Sequence, residues 1–292
     1  MATTDTDILM IGHFARDLLV VRGEATAASG GAVYYGSVAL RHLGVRAAVA
    51  TRLAMEDWPL LDDMIAEGVH VWATAAEKTS GIANHYSDDM EYRVCKPRGF
   101  AGPFSVEEIP EVTARLIAVV PIIAGEVDLP LLAELARRGP LALDIQGFVR
   151  FPEGEELVSR RWPQMAEGLA HVKYLKIDRA EAELLTGQSD LAVAAEQLAA
   201  LGPREIVATQ ASGVTVWADG QVYQAPFTPR SLAGRTGRGD TCFATYLGTR
   251  LSESPALATR LAGAVTTLKQ EAPGPWRGTP ADAAALLARE GR

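Results

Sequence analysis

The chain has 292 residues, a formal net charge of −8, 48% hydrophobic and 22% charged residues, and two cysteines. That length suits one large α/β unit with a buried core rather than two full domains, and the acidic balance without clustered Lys and Arg argues against nucleic acid as a partner. Cys95 and Cys242 offer neither metal-ligand spacing nor a disulfide framework, which fits a reducing, cytoplasmic setting.

The opening run MATTDTDILMIG is acidic where a signal peptide needs basic residues, and no stretch approaches the ~20 apolar residues of a membrane span, so no membrane association is expected. Residues 8–12 and 18–21 read as short buried strands, 32–43 as a helix ended by Gly44, 47–53 as a strand, 58–67 as a helix and 69–73 as a strand. This alternation implies a mostly parallel sheet covered by helices on both faces. Between 79 and 100 the pattern becomes the two-residue alternation of a β-hairpin turning at Asp88 and Asp89. Such an insertion lies off the main sheet as a lid or a dimer surface, or is an ordinary surface hairpin.

The α/β rhythm resumes with strands at 116–124, 141–145, 172–177 and 205–209, and helices at 129–138, 161–170, 179–186 and 191–200. Residues 214–217 and 221–225 form a hairpin through Asp219 and Gly220, and the chain from Asp240 onward is helical, with Pro255 and Pro280 near helix starts. No repeat or linker divides the chain, so one unit over 1–292 is expected, with 79–100 as an inserted lid.

The most informative stretch is 234–251, GRTGRGDTCFATYLGTRL, where a glycine-rich turn feeds an apolar helix. Gly234, Gly237 and Gly239 permit backbone angles closed to other residues, and a helix start offers unpaired amides and the positive end of a dipole, a natural cradle for an anion. Asp240 would repel a phosphate as a ligand but suits a base beside one. The competing readings are a helix-capping aspartate, worth about 1 kcal/mol with no chemistry, and an RGD adhesion sequence, which nothing else in the chain supports.

The run TGRGDTCFA resembles the C-terminal signature of the PfkB, or ribokinase-like, carbohydrate kinases, usually TGAGD followed by a small residue and Phe; here Arg238 stands for the alanine. The resemblance covers 12–278 and implies a three-layer α/β fold with a small β lid, transfer of the ATP γ-phosphate to an alcohol, Asp240 as catalytic base, and Gly237, Arg238 and Gly239 as the anion hole. It further implies that Asp17 and the pair Gly30 and Gly31 bind substrate hydroxyls, with Tyr35 replacing a frequent Asn, and that Gln146 and Arg150 in LALDIQGFVR face substrate and phosphate. Without the family, Asp17 and the glycines read as turn residues, and Arg150 as a surface arginine.

In KIDRAEAELLTG, Lys176 falls on the nucleotide side, and Asp178 replaces the family's Asn before a retained Glu181 that helps position magnesium; the same two acids have capping-box spacing. Thr209 and Gly213 in TQASG match part of a nucleotide loop, and Gly263 and Thr267 in AGAVTTLKQEAPGP match a segment that walls the adenine pocket and, in many relatives, a monovalent-cation site. The implied cofactors are therefore ATP, Mg2+ and K+. The opening GHFARDLLVVRG and TTLKQEAPGP resemble the inositol-kinase-like branch, which implies a sugar or cyclitol acceptor. A nucleoside kinase and a catalytically silent nucleotide- or sugar-binding regulator are the alternatives, and many relatives form homodimers through the lid. GxGxxG after the first strand and the Walker loop GxxxxGK[ST] are missing, and the five histidines pair on no helix face.

Overall fold

The protein, in a computed structural model that describes residues 6–86, 93–289 and 291, begins with β1 (Thr6–Ile11). Along it Ile8 and Met10 join one apolar core, while Leu9 and Ile11 join another. A strand buried on both faces is what a parallel sheet between two helical layers requires. β2 (Ala15–Val21) and β3 (Glu24–Gly30) then leave for a small second sheet, and α1 (Ala32–His42) returns to the main one. β4 (Ala47–Ala54), a 3-10 turn running into α2 (Asp62–Ala66), and β5 (His70–Ala76) complete one flank. β6 (Gly81–Tyr86) and β7 (Arg93–Gly99) belong to the small sheet.

The second flank is built from β8 (Ala114–Val119), α3 (Leu129–Arg138), β9 (Leu141–Asp144) and α4 (Gln146–Val149). A hairpin of β10 (Arg150–Glu153) and β11 (Glu156–Ser159) interrupts it before α5 (Met165–Leu169), β12 (Tyr174–Asp178), α6 (Arg179–Thr186), α7 (Leu191–Ala199) and β13 (Glu205–Gln210). The antiparallel strands β14 (Gly213–Ala218) and β15 (Gln221–Pro226) close the edge, and α8 (Arg238–Arg250), α9 (Pro255–Gln270) and α10 (Pro280–Arg289) end the chain.

The main sheet runs β15-β14-β13-β12-β9-β8-β1-β4-β5. From β1 the order proceeds through β4 to β5 on one side, and from β8 through β9, β12 and β13 on the other. Such a reversal opens a crevice beyond the carboxyl ends of the strands. Val38, Phe243, Leu247 and Ala262 bring α1, α8 and α9 onto one face, and Leu132, Leu169, Leu185 and Leu198 bring α3, α5, α6 and α7 onto the other. Among the described residues no helix is long and apolar enough to cross a membrane.

The small sheet has the order β3-β2-β6-β7, with β2 and β6 parallel. The hairpin expected at 79–100 is present as β6 and β7, while Asp88 and Asp89 lie outside the described residues. It is half of a four-stranded sheet. Residues 18–21, expected as a buried strand, are in β2, where Leu18 and Leu19 are only partly covered, and β3 was not foreseen. The sequence of β3, EATAASG, has little intrinsic strand preference and is extended because β2 pairs with it. The helix expected at 161–170 contracts to Met165–Leu169 because Pro163 disfavours helical angles at Trp162.

Candidate active site

α8 starts on Gly237, whose φ of 80° and ψ of 10° lie in the left-handed region, and a Cβ there would meet the Tyr35 ring at 2.3 Å. Conformation and space both call for glycine. The first i→i−4 bond runs from the Thr241 N–H to the Gly237 carbonyl at 3.0 Å, so the Gly239 and Asp240 amides precede it as donors for a ligand. The Arg238 N–H leans 3.4 Å toward the Arg235 carbonyl, which partly commits one of the three amides expected to form the anion hole. No side chain caps this helix, so Asp240 is not there as an N-cap.

The turn forms one wall of a cleft of about 350 Å³ between the two sheets. The small sheet contributes Asp17, Leu19, Ile82 and Asn84, and the Ile82 N–H donates to Asp17 Oδ1 at 2.8 Å. Gly31 and Tyr35 come from the start of α1, Ile122 and Gln146 follow β8 and β9, and Arg150, Lys176, Asp178, Thr209 and Arg235 complete the lining. Arg238 lies with its guanidinium carbon 6.0 Å from the Phe227 ring centre and also borders a neighbouring hollow of about 260 Å³.

Lys176 is buried, and its ammonium donates to both carboxylate oxygens of Asp144, at 2.8 and 3.0 Å. Burial works against the charge, but Asp144 and then Glu181, Asp240 and Asp178 more than offset it, so the Lys176 pKa is raised. A Cβ on Gly239 would stand 3.7 Å from Lys176 Nζ, which places this fixed positive charge against the turn. Desolvation pushes the Asp240 carboxyl up to about 6, against the pull of Lys176. A carboxylate so tuned can take a proton from an alcohol near neutral pH, where an ordinary aspartate is too weak a base.

Of the residues singled out from sequence, Asp17, Gly31, Tyr35, Gln146, Arg150, Lys176, Thr209 and Gly237 through Asp240 line this cleft. Gly30 stands just behind, since a Cβ on it would be 3.1 Å from the Tyr35 ring and 3.8 Å from Asp17 Oδ2. Glu181 does not line it: its carboxylate accepts the Asp178 N–H at 2.7 Å while Asp178 accepts the Glu181 N–H at 2.8 Å, a reciprocal cap on α6. Burial, opposed by Lys176, pushes the Glu181 carboxyl up. Glu181 is thus held in the α6 cap, set back from the cleft in which the resemblance expects it to help position magnesium, and no cluster of three His, Cys, Asp or Glu suited to a metal occurs among the described residues.

Gly213, Gly263 and Thr267 are not brought to the cleft. Gly213 begins β14 against Pro226, Gly263 packs on Ala225 across α9, and Thr267 donates to the Gly263 carbonyl at 2.8 Å and accepts the Thr228 N–H at 3.1 Å. Asn84 was missed, although the alternation around it carries the signal, because residues two apart on a strand share a face and Ile82 and Asn84 both reach the cleft.

Comparison with solved structures gives this geometry a family. A pyrophosphate-dependent kinase in the ribokinase family, complexed with a pyrophosphate analog and myo-inositol, is 37% identical over 95% of this chain and 99% of its own, with a TM-score of 0.89. The chain belongs to the ribokinase family. It is accordingly a kinase, a phosphotransferase with an alcohol group as acceptor. A pyrophosphate-dependent myo-inositol-1 kinase, converted into a myo-inositol-3 kinase by two substitutions, is 35% identical over 97% of this chain and 99% of its own, with a TM-score of 0.88. The Arabidopsis thaliana ribokinase complexed with ribose and ATP is 17% identical over 97% of this chain and 99% of its own; its TM-score of 0.78 speaks for the fold alone. No protein-family model matches the chain, and no curated protein does either.

Proposed function

We propose that this ribokinase-family kinase transfers a phosphoryl group from inorganic pyrophosphate to a hydroxyl of an inositol-like cyclitol. The observation that carries the donor is that four cations, Arg150, Lys176, Arg235 and Arg238, line the cleft, with Arg235 and Arg238 on the turn itself and Lys176 against it. Gly213, Gly263 and Thr267, expected beside a nucleotide, are instead engaged in packing. The relatives that are 35 to 38% identical support the same donor, since each is described as pyrophosphate-dependent. The ATP expected from sequence has one observation in its favour, the hollow beyond Thr209 and Arg238, which has room for part of a nucleoside.

On this reading Asp17, Asn84 and Gln146 hold the acceptor, and Asp240 takes the proton of one hydroxyl. That oxygen attacks the nearer phosphorus, the bridging P–O bond breaks, and orthophosphate leaves. The Gly239 and Asp240 amides and the Lys176 ammonium, fixed by Asp144, face the charge that builds on the transferring group. Positioning and charge stabilisation carry most phosphoryl transfers, so these groups suffice. Magnesium, when bound, supplies positive charge to phosphate oxygens, and Asp178 is the acid of the α6 cap that reaches the cleft.

The test is a donor panel of pyrophosphate, ATP and ADP with myo-inositol, followed by phosphorus NMR of the products. Turnover with ATP and none with pyrophosphate would overturn the donor assignment; release of phosphate without a phosphorylated cyclitol would overturn the acceptor.

The relative whose product changes does so on replacement of an asparagine and a serine eleven positions apart. Here Asn84 and Cys95 have that separation and face each other across β6 and β7, the Cys95 thiol donating to Asn84 Oδ1 at 3.4 Å. The choice of hydroxyl rests, on this reading, with that pair. Cys95→Ser should keep the product isomer, whereas Asn84→Leu with Cys95→Leu should change it; an unchanged isomer in the double variant would remove the pair from that role.

A further inference from the structure

Behind the turn, on the side away from the cleft, lies a second buried lysine. Lys269 is in the last turn of α9, is 2% exposed, and donates from Nζ to the Gly234 carbonyl at 2.6 Å. The Gly234 N–H is bound in turn to the Gln270 carbonyl at 2.8 Å, and a Cβ on Gly234 would fall 1.8 Å from the Ala272 oxygen. The start of the 234–240 turn is thus clamped to the end of α9, backbone against backbone. The same ammonium lies 5.0 Å over the Tyr35 ring, against which the Gly237 backbone also packs.

A buried ammonium is costly unless it is compensated. Burial lowers the Lys269 pKa to about 8 and the field of Asp240 opposes that, so the ammonium is still the main form at neutral pH, and Lys269 in return favours ionised Asp240. One side chain therefore holds the entrance to the donor turn and supports the charge state of the base at its exit. The family resemblance implies a dissociable monovalent cation in this segment, 262–275. The residues present do not fit one, because a covalently attached ammonium already sits on the turn carbonyl.

We propose that Lys269 is a positioning residue that serves as the built-in cation of the donor turn, so that this kinase works without potassium. The idea rests on the phosphotransfer reading of the cleft, but part of its test does not. Thermal melting of the wild-type protein in potassium, sodium or tetramethylammonium chloride at equal ionic strength should give the same midpoint, whichever donor is correct. With the active donor and acceptor, wild-type kcat should be equal in the three salts. Lys269→Met should lose kcat on the order of 100-fold, the lower end for a lost preorganised electrostatic contact, with little change in acceptor KM. Added ammonium or potassium should restore part of it and raise that variant's melting midpoint, and Lys269→Arg should retain more activity than Lys269→Met.

Several-fold activation of the wild type by potassium, or a potassium-dependent melting midpoint, would overturn the proposal. So would a folded Lys269→Met with wild-type kcat. Should Lys269→Met fail to fold, the two wild-type salt series decide. Should no donor be turned over, the proposed reaction fails while the melting series still judges Lys269.

Discussion

Asp240 is the base of the proposed reaction because of where its carboxylate sits, at the start of α8 among Lys176, Asp144 and Asp17. Asp240→Asn should lower kcat by roughly 10²- to 10⁴-fold, the usual worth of a general base, while pyrophosphate still binds by calorimetry. Unchanged turnover would reassign the base. Because the fold raises this carboxyl to about 6, ionisation is the disfavoured direction, and the active carboxylate disappears as pH falls through that value. The kcat/KM profile should accordingly have an acid limb near pH 6, absent from the residual rate of Asp240→Asn. Arg238, which stands where the signature it resembles has alanine, should matter in the transition state, so Arg238→Ala should lower kcat more than it raises acceptor KM. An effect confined to acceptor KM would move Arg238 to the substrate side.

At the level of elements, α8 is fastened at both ends. Its first turn abuts Tyr35 and Lys176, and its far end meets Glu205 at the start of β13. Glu205 is 3% exposed and accepts from Tyr246 and from Arg250, the latter at 2.8 and 3.0 Å. Removing one partner of a buried ion pair costs about 3–5 kcal/mol, so Glu205→Ala should lower the unfolding free energy by that order in denaturant titration, with acceptor KM unchanged in the folded fraction. The parallel strands of the main sheet were legible in the sequence because they are short apolar runs closed by a local turn or cap, as at β1, β9 and β12. The strands β3, β10 and β11 were not, since their pairing partners rather than their own side chains make them extended. The site divides along the same line. The turn was legible through its glycine spacing, whereas Asn84 and Lys269 reach their places only through sheet pairing and helix packing that the sequence does not display.

For the whole molecule, charge balance sets a condition on the donor. The cleft is lined by four cations, Arg150, Lys176, Arg235 and Arg238, and by four carboxylates, Asp17, Asp144, Asp178 and Asp240, in a chain whose net charge is −8. The lining has no positive surplus to neutralise a polyanion, so turnover should vanish on chelation and return with added magnesium; full activity in excess chelator would show that the protein's own cations suffice. The pairing of Cys95 with Asn84 has a practical corollary as well. Of the two thiols, Cys242 is fully enclosed and Cys95 partly open, so the unmodified protein offers a single attachment point for a fluorophore or spin label, on the strand next to the acceptor wall. Arrival of the acceptor could then be followed in the native sequence, with no engineered cysteine, because the rate of thiol labelling should slow when the neighbouring site is filled.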